Sequence, residues 1–203
     1  VKYIAPTVNG FTASGAFTKN NTNYSDTAAD TRSAQGYSYG LNYANGPFSA
    51  TVSYSNAVTT TVTTAGTSTS LSGDITAKTT ALGASYDLGV AKLFVANFKL
   101  DQVDAIAPTA LNAYNVQRKS TTVGVKAPLT AKLSAFASAG KGTLQKGATT
   151  AFTGDLTGRQ MGVNYELSKR TALKAAYGTI KAEASATTDT KVKETAVSLV
   201  HLF

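Results

Sequence analysis

The side chains in this 203-residue sequence that could do chemistry are too few and too scattered for an enzyme. It contains one histidine, no cysteine and 11 acidic residues. His201 has no acid or nucleophile near it in sequence, and no phosphate-binding glycine loop, metal-ligand spacing or Ser-His-Asp order occurs. We therefore expect no enzymatic activity, no catalytic residue, no bound metal and no cofactor.

The fixed positive charges are more informative. The 19 Lys and Arg residues give a formal net charge of +8, but they are spread singly, which argues against nucleic-acid binding. Within alternating segments they fall on the polar phase. In RKSTTVGVKA (118–127), Val123 and Val125 share one phase, whereas Arg118 and Lys126 share the other. The same polar phase holds Lys2, Lys132 and Lys174.

Strands must position these charges, because alternation with a period of two recurs along the whole chain. In GYSYGLNYA (36–44) the tyrosines and leucine share one phase, the turn Asn45-Gly46-Pro47 follows, and FSATVSYS (48–55) alternates again. Eleven such segments occur, near residues 1–5, 11–19, 34–44, 47–56, 75–87, 90–100, 113–127, 129–140, 157–166, 170–181 and 191–203. The sequence therefore predicts an all-β protein.

The connections between these segments alternate between short and long. The short ones are 6–10, 45–47, 87–89, the turn at Pro128 and 167–169; the long ones, predicted to be solvated loops, are 20–33, 57–74, 101–112, 141–156 and 182–190. Such alternation predicts an antiparallel up-and-down meander. Strands of about ten residues with short turns at one end are typical of an outer-membrane β-barrel.

The composition of the two phases also favours a transmembrane β-barrel over a soluble sandwich. The apolar phase carries Ala, Leu, Val and Tyr, with aromatic residues near both strand ends, as in the interfacial girdles of barrels. These are Phe11, Tyr43, Phe48, Tyr86, Tyr165 and Phe203 near the short turns, and Phe17, Tyr37, Tyr54 and Tyr177 further along. In segment 90–100, either Leu93 and Val95 or Phe94 and Phe98 could face lipid, so the phase of Lys92 stays open.

Placing the polar phase inside such a barrel gives the cations a function. We expect Lys2, Arg118, Lys126, Lys132 and Lys174 to line a water-filled pore. Fixed cations on a pore wall lower the energy of passing anions and raise that of cations. The sequence thus predicts passive diffusion of small hydrophilic solutes with a preference for anions.

Three segments resemble the general porins of Gram-negative outer membranes, of the β-proteobacterial type. They are VKYIAPTVNGF (1–11), YELSKRTAL (165–173) and the final VSLVHLF (197–203). Lys174 departs from the pattern, since such porins often carry an aromatic residue after the SKRTAL turn. The resemblance implies a homotrimer integral to the outer membrane, in contact with lipid and lipopolysaccharide. The wall cations, not the resemblance, are the reason to expect small anionic solutes. It also implies that Val197, Leu199, His201 and Phe203 form the signal read by the barrel-assembly machinery.

Strand parity bears on the extent of the barrel. The family is sixteen-stranded, and eleven strands cannot form a closed antiparallel barrel of even number. We expect residues 1–203 to be the C-terminal part of a porin, with about five earlier strands and the constriction loop absent from this chain.

Two alternatives remain open at the level of sequence. One is a structural or adhesive outer-membrane barrel whose Ser/Thr-rich extracellular loops bind a partner. The other is a soluble, secreted all-β binding protein. Conductance distinguishes the first from a porin, and cell fractionation distinguishes the second.

Overall fold

Alternating Thr, Val, Ala, Ser and Tyr give the chain high β-propensity over most of its length. A computed structural model describes residues 1–24, 30–65, 69–104, 115–147, 152–184 and 189–201. They form one antiparallel sheet whose spatial order follows the chain, β1 to β11, so the predicted up-and-down meander of eleven strands is confirmed. The strands are β1 (Lys2–Ile4), β2 (Phe11–Tyr24), β3 (Asp30–Asn45), β4 (Phe48–Ala65), β5 (Thr69–Asp87), β6 (Lys92–Asp104), β7 (Val116–Pro128), β8 (Leu133–Lys146), β9 (Phe152–Ser168), β10 (Thr171–Ala184) and β11 (Asp189–His201).

The strands run much further into the long connections than predicted. The segment 57–74 was expected to be a loop, yet β4 continues to Ala65 and β5 begins at Thr69. The pairing of Thr59 with Ile75 is typical of this extension. Threonine suits a paired strand as well as a solvated loop, which is why composition alone gave the wrong boundaries. The centres of the predicted loops, such as 25–29 and 105–114, lie outside the described residues.

The start of β8 is also later than predicted. Residues 129–132 form a turn, in which the backbone N–H groups of Leu129 and Thr130 donate to the Leu133 carbonyl at 2.8 and 3.0 Å. The Thr130 hydroxyl accepts from the N–H groups of Lys132 and Leu133 at 3.2 and 3.0 Å. A side-chain hydroxyl that bonds nearby backbone donors stabilises a turn over a strand. The prediction of a strand from residue 129 was therefore wrong.

The first tight turn has the backbone that its residues favour. Asn9 and Gly10 have φ of 49° and 83°, and Val8 bridges to Phe11 across them. Two consecutive positive φ angles suit the right-handed twist of a hairpin and favour Asn-Gly. A Cβ at Gly10 would also lie 2.5 Å from the Ala44 carbonyl oxygen.

The sheet has no conventional hydrophobic core. No hydrophobic side chain among the described residues is buried, and the exposed fraction reaches 55% at Val123, 64% at Leu199 and 71% at Val197. A soluble domain of this length would bury most of its apolar surface. An apolar face this large requires a non-aqueous environment or a partner.

No helix among the described residues is both long and apolar enough to cross a membrane.

Candidate pore wall

The strand register divides the sheet into two faces. Directly opposed residues of antiparallel strands point to the same side, so one row can be followed across the sheet. The row Tyr43, Ala50, Ala84, Val95, Val123 and Ala139 defines what we call the apolar face. The opposite side, the polar face, contains the row Asn42, Thr51, Gly83 and Ala96, and continues through Thr122 and Gly140.

The register places four of the five predicted pore-lining cations on the polar face. Lys2 opposes Ala16, Lys126 opposes Phe136, and Lys174 opposes Asn164 and Ser198. Arg118 opposes Leu100 and Leu144 on the same face. These four are distributed over β1, β7 and β10 and do not form one cluster.

Lys132 differs, because it lies in the turn of residues 129–132. It is not at mid-strand on the wall, as the sequence had suggested. It instead lines a groove at the short-turn end, of about 320 Å³, together with Lys92, Lys126, Asp87 and Glu166. Lys132 thus stands at the rim of the polar face.

Lys92 is a polar-face cation that the sequence left undecided. It opposes Asp87 on one side and Lys126 on the other, so Leu93 and Val95 belong to the apolar face. Periodicity could not decide which side of β6 faces lipid, because apolar residues occur on both sides. The pairing of β6 with β5 and β7 decides it.

Cations outnumber acids on the polar face of the described residues. The cations are Lys2, Lys92, Arg118, Lys126, Lys146 and Lys174, and the acids are Asp87, Glu166 and Glu194. Two of the acids, Asp87 and Glu166, stand at the short-turn end beside lysines. The polar face of the described residues therefore carries a net positive charge.

Small side chains keep the polar face open. Gly140, Gly158 and Gly178 lie on it in adjacent strands, beside Ser120 and Ser138. A groove of about 430 Å³ lies over these residues, and Arg118 lines it. This surface can hold water and small solutes.

Comparison with known proteins identifies the family. A family model of Gram-negative porins matches residues 1–185. The chain belongs to the Gram-negative porin family. This membership places it in the outer membrane as an integral protein with a β-barrel fold. No curated protein matches the chain significantly by sequence.

Solved structures share the porin fold. An anion-selective porin from Comamonas acidovorans superposes with a TM-score of 0.67 at 20% identity, over 100% of this chain and 58% of that one. The trimer form of OmpT, an outer membrane protein of Vibrio cholerae, gives a TM-score of 0.62 at 13% identity, over 95% of this chain and 77% of that one. An OmpT variant lacking loop L8 superposes with a TM-score of 0.61 at 13% identity, over 93% of this chain and 62% of that one. The porin chain thus spans less than two thirds of the first and third of these proteins.

The apolar face of this porin carries two groups of aromatic rings. Near the short turns, the Phe11 and Tyr43 ring centroids lie 4.5 Å apart, and Tyr43 lies 6.0 Å from Phe48. Further along, Tyr39 stacks on Tyr54 with centroids 6.2 Å apart. Rings at both edges of an apolar band fit the two interfaces of a bilayer.

The terminal strand presents its apolar phase to the same side. Val197 and Leu199 oppose Ala175 and Leu173 on the apolar face. His201 opposes Thr171, and its Nδ1 lies 2.9 Å from the Thr171 hydroxyl oxygen. Phe203 lies outside the described residues, and recognition of these four by the assembly machinery stays a prediction.

Three phenylalanines lie on the polar face: Phe94 and Phe98, whose phase the sequence left open, and Phe136, which was not foreseen as a wall residue. Phe94 and Phe98 are on the face of Arg118 and Lys126, and Phe136 directly opposes Lys126. The sequence could have indicated the position of Phe136, because it is two residues from both Ser134 and Ser138 and so shares their polar side of β8.

Proposed function

We propose that this chain forms part of the wall of a diffusion porin that passes small hydrophilic solutes and prefers small anions. The surplus of Lys and Arg over acids on the open polar face supports the anion preference. Wall charges act over the Debye length of about 8 Å at physiological ionic strength, so they can bias permeation without direct contact. The Comamonas acidovorans porin of similar fold is itself anion-selective. The proposal is a channel rather than an enzyme.

The test is ion selectivity of the full-length protein in a planar bilayer. Under a potassium chloride gradient, we expect a reversal potential of the sign that indicates chloride permeation exceeding potassium permeation. A cation-selective sign would overturn the anion preference but leave the channel in place. Absence of any current would favour the alternative of a structural or adhesive barrel.

We further propose contact with lipopolysaccharide through the apolar face. Lys119, Lys141 and Arg159 lie on this face in adjacent strands, just beyond its apolar residues toward the long connections. Among the described residues, no carboxylate is within ion-pair distance of these three, although Asp155 lies diagonally across from Lys141. Unpaired cations at an interface suit the phosphates of an anionic lipid.

Homotrimer formation and insertion by the barrel-assembly machinery remain proposals for the whole protein. The trimer form of OmpT supports homotrimer formation. Val197, Leu199 and His201, which share one face of the last strand, support recognition by the assembly machinery. Native mass spectrometry of the detergent-purified protein reads both its oligomeric state and any retained lipopolysaccharide. The expectation of five further strands and a constriction loop likewise stays a prediction.

A further inference from the structure

The phenylalanines of the polar face need a physical reason, since a water-filled pore gains little from apolar rings on its wall. Phe94 opposes Gly124, Phe98 opposes Ser120, and Phe136 opposes Gly162. All three side chains are partly exposed. They lie on β6 and β8, the strands that flank the one carrying Arg118 and Lys126.

Two of these rings reach over a glycine of the neighbouring strand. A Cβ at Gly162 would be 2.6 Å from Cζ and 2.7 Å from Cε1 of Phe136, and a Cβ at Gly124 would overlap Cε2 and Cζ of Phe94. The distal carbons of each ring therefore occupy the space above the opposed glycine, which a side chain at that position would fill. Both side chains remain partly exposed on the polar face, so a planar solute can stack on them.

Each ring has a cation beside it. The Arg118 guanidinium carbon lies 6.0 Å from the Phe98 ring centroid. Lys126 opposes Phe136 directly and is two residues from Gly124, the partner of Phe94. Within the described residues neither Arg118 nor Lys126 is engaged in an ion pair, so both charges are available to a solute.

A ring face next to an unpaired cation fits a solute that is both flat and negatively charged. We propose that Phe94, Phe98 and Phe136, with Arg118 and Lys126, form a track that binds aromatic monocarboxylates of the benzoate type as they pass the pore. The ring of the solute stacks on a phenylalanine while its carboxylate contacts the adjacent cation. This inference rests on the proposed pore function and specifies one class of its solutes.

The experiment compares two carboxylates of equal charge and similar size in the full-length protein. Benzoate and cyclohexanecarboxylate are titrated against the chloride current in planar bilayers, since only benzoate offers a π-face. We expect benzoate to block at a concentration about threefold lower, as a stacking contact of ordinary strength gives. The triple variant F94L/F98L/F136L should lose this difference and keep the chloride current.

Three further variants complete the test. Phe98→Leu alone leaves both phenylalanine–glycine contacts intact, so it reports on the track even if the triple variant folds poorly; it should reduce the benzoate advantage. Phe17→Leu makes the same change on the apolar face and should leave that advantage unchanged. Arg118→Gln should weaken block by both carboxylates alike.

Equal block by benzoate and cyclohexanecarboxylate in the unmodified protein would overturn the track. A benzoate advantage that is undiminished in both F94L/F98L/F136L and Phe98→Leu would overturn it as well. Either result can occur with the chloride current intact and would leave the pore proposal standing. A protein that passes no chloride current overturns the pore and the track together.

Discussion

Lys126 is the single residue on which the charge of the wall can be tested most directly. It opposes Lys92 and Phe136 on the polar face. One charge about 10 Å from a passing ion in water contributes about 0.4 kcal/mol, favourable for chloride and unfavourable for potassium, which changes the ratio of the two permeabilities by about fourfold at low ionic strength. We expect Lys126→Gln to lower the chloride-to-potassium permeability ratio by about that factor, measured as a reversal potential in the full-length protein.

The matched control for this substitution lies on the same strand. Lys119 is on the opposite face of β7, so Lys119→Gln removes an equal charge that does not line the proposed pore. It should change the reversal potential much less. If the two variants shifted the reversal potential equally, the selectivity would depend on the overall charge of the protein and not on the position of Lys126 on the wall.

Among the strands, β8 and β9 make a contact that depends on one glycine. A Cβ at Gly162 would lie 2.5 Å from the Ala175 carbonyl oxygen and within 2.7 Å of the Phe136 ring. We expect Gly162→Ala to destabilise the fold by about 1–3 kcal/mol, as overpacking does. Urea unfolding of the full-length protein in lipid vesicles, followed by circular dichroism, measures this.

Gly158 provides the comparison on the same strand and the same face. A Cβ there would meet no atom closer than the Thr179 carbonyl oxygen at 4.0 Å. Gly158→Ala should therefore be nearly neutral. Equal destabilisation by the two variants would show that β9 disfavours any side chain on the polar face, rather than a clash at Gly162.

The limits of sequence-based prediction also lie with the strands. The turn of the β3–β4 hairpin and the two strand ends beside it were predicted to within one residue, because strict alternation surrounds an Asn-Gly turn. The far ends of β4 and β5 were missed because Thr-rich segments become strands only when their partner is known. Periodicity could not show which side of β6 faces lipid, because Leu93 and Phe94 are both apolar. It also could not predict the turn that contains Lys132, because that turn is stabilised by hydrogen bonds to the Thr130 hydroxyl and not by an alternating pattern.

For the molecule as a whole, the two faces of the sheet require two different solvents. The apolar face exposes side chains such as Leu82, Val95 and Val123, at 47%, 42% and 55%. The polar face carries glycine, serine, threonine and most of the predicted pore cations. Only an arrangement with lipid outside and water inside satisfies both faces at once, which is the physical basis of the barrel.

Adjacent residues on β7 test this arrangement, because Val123 and Thr122 differ in the face they occupy and little in position. A lysine in contact with lipid near the bilayer midplane costs about 2–4 kcal/mol, whereas one that points into water costs little. We expect Val123→Lys to lower the urea stability of the full-length protein in vesicles by that amount, and Thr122→Lys to lower it far less. The reverse order would mean that lipid contacts the face carrying Arg118 and Lys126, and the pore wall would then have to be sought on the other side.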